Sequence, residues 1–161
     1  MNIVIMDKSG EKWGKGVENM FLGEYRHALD EKGRLFIPAK LRESLGKHFY
    51  VSKGFDHCLF VYDEAQWAEF SAKLNALSMG QKKNRDIKRF FFSGACEIAC
   101  DKQGRALLAA NLREYAGLSK DTVIVGVGNK AEIWSAEAWQ ARNAASEQMI
   151  EEGLEDLDLD I

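Results

Sequence analysis

No apolar stretch in this chain approaches the roughly 18 residues that a membrane-spanning helix requires. Cysteine is scarce as well. The three thiols, Cys58, Cys96 and Cys100, form neither a Cys-x-x-Cys pair nor an even disulfide framework. That points to a reducing compartment and away from a structural zinc site. Cys96 and Cys100 stand four apart in a segment that reads as strand, hence on one face, and buried inert thiols are the simplest reading of all three. Histidine is equally sparse. His27, His48 and His57 lie apart, without a carboxylate or thiol partner at a spacing that chemistry needs. His57 and Cys58, neighbours on an expected strand, point to opposite faces. A phosphate-cradling glycine loop, a Gly-x-Ser-x-Gly elbow and a His-Glu-x-x-His pair are all missing. No catalytic residue, metal site, cofactor or small-molecule substrate is therefore expected. What remains, 46% hydrophobic and 29% charged, is the composition of an ordinary globular chain, with length for one core or two small ones.

What the chain does have is a repeat. Asp30-Glu31-Lys32-Gly33-Arg34 returns 71 residues later as Asp101-Lys102-Gln103-Gly104-Arg105. Ala39-Lys40-Leu41-Arg42-Glu43 answers to Ala110-Asn111-Leu112-Arg113-Glu114, Gly46 to Gly117, and Tyr62…Trp67 to Trp134…Trp139. Two copies are too few for a solenoid. They fit a domain of two similar halves, or a pseudo-dimer on one chain. Residues 1–19 match nothing in the repeat and read as a flexible leader or tag-like extension, with Met20 as the expected start.

Each copy reads alike. A loosely alternating strand (23–29 and 95–100) leads into the turn. Gly33 and Gly104 supply its positive φ, and Asp30 and Asp101 bond the backbone two residues on. A return strand follows (35–37 and 106–108). In the first copy Pro38 suits the opening position of a short helix, which Gly46 ends. A second strand pair comes next, Phe49 to Val51 with Cys58 to Tyr62, matched by Thr122 to Val125 with Glu132 to Trp134. Each half closes with a helix. Asp63 with Gln66 makes a capping-box start, and Trp67, Phe70, Leu74 and Leu77 form its apolar stripe; Ser135 caps the other. Between them a helix over 80–94 carries Ile87, Phe90 and Phe91 opposite Lys82, Lys83, Arg85, Lys88 and Arg89. The organisation expected is 20–79 for the first module, 80–94 for a helical connector, 95–150 for the second module and 151–161 for a disordered acidic tail.

Net charge is −3, yet six acids without a base lie in 151–161, and setting them aside leaves +3. The stretch 24–47 has six bases against four acids, while 97–121 balances four with four. An anionic partner would therefore favour the first copy. The basic cluster on the connector reads first as a solvated helix face.

Met20-Phe21-Leu22-Gly23-Glu24-Tyr25, Leu29-Asp30-x-Lys32-Gly33-Arg34, Ile37-Pro38-Ala39 and Phe91-Phe92-Ser93-Gly94-Ala95, with the second Asp-x-x-Gly-Arg, resemble the MraZ family from about Met20 to Met149. The resemblance implies a mixed α+β, strand-rich fold of two tandem AbrB-like swapped-hairpin modules, an intrachain pseudo-dimer with a helix after each module. It implies a ring of several chains, and a cytoplasmic, nucleoid-associated bacterial transcriptional regulator, a repressor. Such a regulator binds short direct repeats of double-stranded DNA upstream of the division and cell-wall genes, its own promoter included.

Physical chemistry agrees with a DNA partner. A tight turn would project Arg34 and Lys32 clear of the sheet, where a guanidinium forks onto phosphate or guanine. Arg26, Lys40 and Arg42 would add contacts, and Arg105 and Arg113 their counterparts in the second copy. The competing reading for the turn arginines is an ion pair to Asp30 or Asp101 that holds the turn. An alternative function is a protein-interaction module such as an AbrB-like antitoxin, served by Trp67, Phe70, Phe90, Phe91 and Trp139.

Overall fold

The computed structural model describes residues 20–153. The expected leader, 1–19, and residues 154–161 of the acidic tail lie outside the described residues. The first copy runs β1 (Glu24–Ala28), β2 (Arg34–Phe36), α1 (Ala39–Leu45), β3 (Phe49–Lys53), β4 (Leu59–Tyr62) and α2 (Glu64–Asn75). After α3 (Lys82–Gly94) the order repeats as β5 (Cys96–Ile98), β6 (Arg105–Leu107), α4 (Ala110–Tyr115), β7 (Asp121–Gly126), β8 (Ala131–Ser135) and α5 (Ala136–Gly153). The expected mixed α+β, strand-rich fold of two repeated modules is what the chain adopts.

The strands do not stay within their copies. Six form one sheet in the order β1-β7-β8-β4-β3-β5, and the other two form a ribbon, β2-β6. β1 of the first copy pairs antiparallel with β7 of the second, Tyr25 opposite Ile124. Reciprocally, β5 pairs with β3, Tyr50 opposite Glu97. The order reads the same from either edge once equivalent strands are exchanged. A pseudo-twofold axis therefore passes between β4 and β8, where Phe60 faces Glu132. It also passes through the ribbon, where Leu35 faces Ala106. Both of those ribbon residues are fully buried.

Period-2 alternation explains the layers. Along β4, Leu59 and Val61 join one cluster with Leu35, Ile37, Leu41 and Leu112, while Phe60 and Tyr62 join the other with Leu74, Phe91 and Trp134. One face of the sheet is thus covered by the ribbon with α1 and α4. The opposite face is covered by the long helices. Both faces being covered, β4 at the centre is buried on every residue, and each such apolar side chain contributes about 1.5–3 kcal/mol.

Several local expectations hold and several shift. Asp63 accepts from the Gln66 amide at 2.8 Å, and Ser135 Oγ accepts from the Ala138 amide at 3.2 Å, so both caps are as read. Pro38 instead sits one position earlier, at the cap before α1, with φ −52° and ψ 142°; the residue is extended and its ring simply starts the helix. β5 ends at Ile98, so Cys100 lies beyond the strand and does not share a strand face with Cys96. His57 is not on a strand either. It follows Asp56 in a left-handed turn, both at φ 58°, closed by the Gly54 amide donating to the Cys58 carbonyl at 2.7 Å. α5 extends through Gly153, so the first three residues of the expected disordered tail are helical.

Candidate nucleic-acid interface

The two turns are built bond for bond alike. In the first, Asp30 Oδ1 accepts from the Lys32 amide at 3.0 Å and the Arg34 amide at 2.8 Å, and Gly33 N donates to the Asp30 carbonyl at 3.0 Å. In the second, Asp101 Oδ1 accepts from Gln103 and Arg105, both at 2.9 Å, and Gly104 N donates to the Asp101 carbonyl at 3.0 Å. The second carboxylate oxygen takes the arginine: Arg34 Nε at 2.7 Å on Asp30 and Arg105 Nε at 2.9 Å on Asp101. The ion-pair reading of these arginines is therefore correct, and Arg34 does not stand clear of the turn. Its side chain keeps 29% of its exposure. Backbone amides first, then the guanidinium, hold both Asp30 and Asp101 below the usual carboxylate range. Because those pKa values are lowered, the stabilisation is complete above the ordinary carboxylate value and is lost as pH falls through the depressed one.

The ribbon brings the two turns together. Arg34 lies opposite Leu107 and Phe36 opposite Arg105, so Leu35 and Ala106 face inward while the arginines, Phe36 and exposed Leu107 face outward. Arg105 Nη1 comes to 4.0 Å from the same Asp30 oxygen that holds Arg34, so two guanidinium groups converge on one carboxylate. Using Nε for the turn leaves the paired Nη groups of each arginine with donors to spare.

The helix arginines cross between copies. Arg42 Nε donates to its own Ile37 carbonyl at 2.8 Å, and its guanidinium lies over the Phe36 ring at 5.6 Å. It also packs on the other copy's turn: a Cβ on Gly104 would meet Arg42 Cζ at 2.8 Å. Arg113 repeats this, donating from Nε to the Leu108 carbonyl at 3.1 Å, with its Cζ 2.8 Å from a Cβ placed on Gly33. The Gly33 carbonyl accepts from the Leu108 amide and the Gly104 carbonyl from the Ile37 amide, both at 2.9 Å. Each turn is thus held by the opposite copy.

Of the residues expected at the site, Arg34, Arg105, Arg42 and Arg113 are brought together, with Asp30, Gly33, Asp101 and Gly104 as their frame. Lys32 and Lys40 are exposed beside them, on the first turn and at the start of α1. Arg26 is not part of the group. It shares the strand face of Glu24, with which it pairs at 2.9 Å, opposite Val123, a member of the cluster under the long helices. The ribbon lies on the other face, where His27 meets Phe36 edge-on at 5.0 Å. One residue went unremarked in the sequence. Lys102 is exposed on the second turn where the first has Glu31, so each turn carries one lysine, at adjacent positions. Aligning the two pentapeptides for charge reveals it. Since Asp30 and Asp101 offset Arg34 and Arg105, and Glu31 offsets Lys32 on the first turn, the local bases left over are Lys40, Lys102, Arg42 and Arg113.

The MraZ family model, described as "MraZ protein, putative antitoxin-like", matches residues 20–90 and again 91–160. Two matches, one per copy, account for nearly all of the chain outside residues 1–19. The chain belongs to the MraZ family. Its relatives there include the "Transcriptional regulator MraZ" of Desulforamulus reducens, 52% identical over 138 residues, 86% of this chain and 97% of the relative. The protein of the same name from Heliobacterium modesticaldum is 53% identical over 143 residues, covering 87% and 100%. That of Symbiobacterium thermophilum is 58% identical over 118 residues, covering 73% and 86%. Family membership and geometry meet at one point: the matched boundary near Phe91 falls within α3, the helix that joins the two copies.

Proposed function

We propose that this chain is a transcriptional regulator that binds double-stranded DNA with the outer face of the β2–β6 ribbon and its two flanking turns. The observation that carries the reading is the convergence of Arg34 and Arg105 on Asp30 at 2.7 and 4.0 Å, ringed by exposed Lys32, Lys40 and Lys102. An antiparallel two-stranded ribbon has dimensions that fit the major groove, where an arginine fork reads the O6 and N7 of guanine. Held at Nε by a carboxylate, each guanidinium is pre-set in direction, which lowers the entropy lost on binding. The lysines supply phosphate contacts, which position the ribbon but carry no sequence information. Arg42 and Arg113 hold the turns from the opposite copy and add charge beside them. Arg26, on the other face of β1, is left out.

One ribbon contacts few phosphates. Useful affinity then comes from several copies, arranged as a ring, meeting short direct repeats with a high effective concentration. The relatives' names support regulation of transcription. The resemblance supports the finer reading: a repressor of the bacterial division and cell-wall gene cluster that also acts on its own promoter, in the cytoplasm at the nucleoid.

The test is fluorescence anisotropy with duplex from upstream of the chain's own gene against a shuffled duplex, across a salt series. Arg34→Lys keeps the charge opposite Asp30 and removes the fork. It is expected to lower discrimination between the duplexes by about 1–3 kcal/mol, with circular dichroism unchanged. Lys32→Ala should weaken both duplexes alike and reduce the salt slope by about 1. Equal binding of both duplexes by the unaltered protein would reduce the site to a basic surface. No binding at low salt by a folded oligomer would favour a protein partner of the antitoxin kind instead.

A further inference from the structure

A second surface lies on the other side of the sheet. Between α3 and the loop after β3 runs an open groove of about 550 Å³. Its floor is apolar: Phe55, Ile87, Phe90 and Phe91 line it, and Lys82 and Lys83 stand at one end. Phe55 is 63% exposed, held edge-on to Phe60 at 5.6 Å and to Phe91 at 5.8 Å. A phenylalanine fixed by two aromatic contacts yet left in water is a built surface rather than a loose side chain. Asp86 also lines the groove, paired with Arg89 at 3.0 Å and with Lys82 at 3.8 Å, and Lys82, Lys83 and Arg89 against this one acid leave the rim positive. The ribbon arginines have no share in this groove.

The chain itself contains a segment of matching chemistry. Residues 156–161 read Asp156-Leu157-Asp158-Leu159-Asp160-Ile161. This strict alternation, in an extended segment, would set three branched apolar side chains on one side and three carboxylates on the other. It contains no base. The reach is also sufficient. Arg142 of α5 meets Asp56 at 3.4 Å, beside Phe55. From Arg142 the helix advances about 17 Å to Gly153, and eight further residues span up to about 27 Å.

We infer that the groove between α3 and the Phe55 loop is a docking site for the chain's own residues 154–161. Leu157, Leu159 and Ile161 meet its phenylalanine floor, and the intervening aspartates meet Lys82 and Lys83. The inference stands apart from the DNA reading, and its test contains no DNA.

The full chain is treated with a carbodiimide, which joins a lysine amine to a carboxylate only where the two are in contact. Peptide mass analysis is made on a mixture of isotopically labelled and unlabelled protein. Joined pairs are expected between Lys82 or Lys83 and the acids of 155–160, each pair of a single isotope. Leu159→Ser leaves every carboxylate in place and cannot disturb the described core. It should lower that yield about tenfold, the worth of roughly one buried leucine. Pairs of mixed isotope would show that the occupant is a second copy and overturn the inference. Absence of these pairs, or a yield unchanged in Leu159→Ser, would overturn it as well.

Discussion

Gly33 and Gly104 sit at φ 81° and 80°, where an L side chain is strained, and each is covered by an arginine from the opposite copy. Gly117 separates the two effects, since it has φ 60° and a methyl group placed on it would meet nothing within 4 Å. Gly117→Ala is expected to cost only the backbone part, about 1–2 kcal/mol. Gly33→Ala adds the displacement of Arg113 from the Leu108 carbonyl, about 1 kcal/mol more. Its melting temperature should therefore fall further than that of Gly117→Ala, by about 2–4 °C for each extra kcal/mol. Equal shifts in a thermal scan would show that the arginine cover has no energetic weight. The glycine and the aspartate of this turn were legible in the sequence, because a tight turn needs them locally. The arginine cover was not, because Arg113 and Gly33 belong to different copies, far apart along the chain.

At the scale of elements, alternation and caps carried the reading. The helices that close the two copies, α2 and α5, each begin where a side-chain oxygen meets an amide, and Asp63→Ala should cost about 1–2 kcal/mol in a urea titration. An unchanged midpoint would mean that the Asp63 cap is redundant. The hairpin differs from the expected one in its pairing. The chain does turn back at Asp30, yet β1 and β2 meet only at the Leu29–Leu35 bridge and then part, one to the large sheet and one to the ribbon. Alternation tells which side chains point the same way and is silent on which strand lies alongside. For the same reason Arg26, two residues from Glu24 on one strand face, looked like a site residue until the neighbouring strand was known.

At the scale of the molecule, exchange of strands makes each copy the other's scaffold. β1 has its ladder in the second copy and β5 has its ladder in the first, and the ribbon needs one strand from each. Fragments 20–94 and 95–153, made separately, are expected to lack a cooperative thermal transition alone and to recover strand signal in circular dichroism when mixed in equal amounts. A cooperative transition in either fragment alone would show that a half can close on itself. The sequence by itself determined the repeat, the composition of the turn, the alternating apolar faces of the strands, the caps of α2 and α5 and the family resemblance. All of these depend on residue order over a few positions or on matching one stretch of chain to another. The tertiary structure alone decided that Arg34 and Arg105 share a carboxylate, that Arg42 and Arg113 guard each other's turns, and that Arg26 faces away. Two near-identical copies offer each strand the same pattern of apolar and polar residues, so local preference cannot choose between partners. The choice follows from closing both faces of one sheet around a common core.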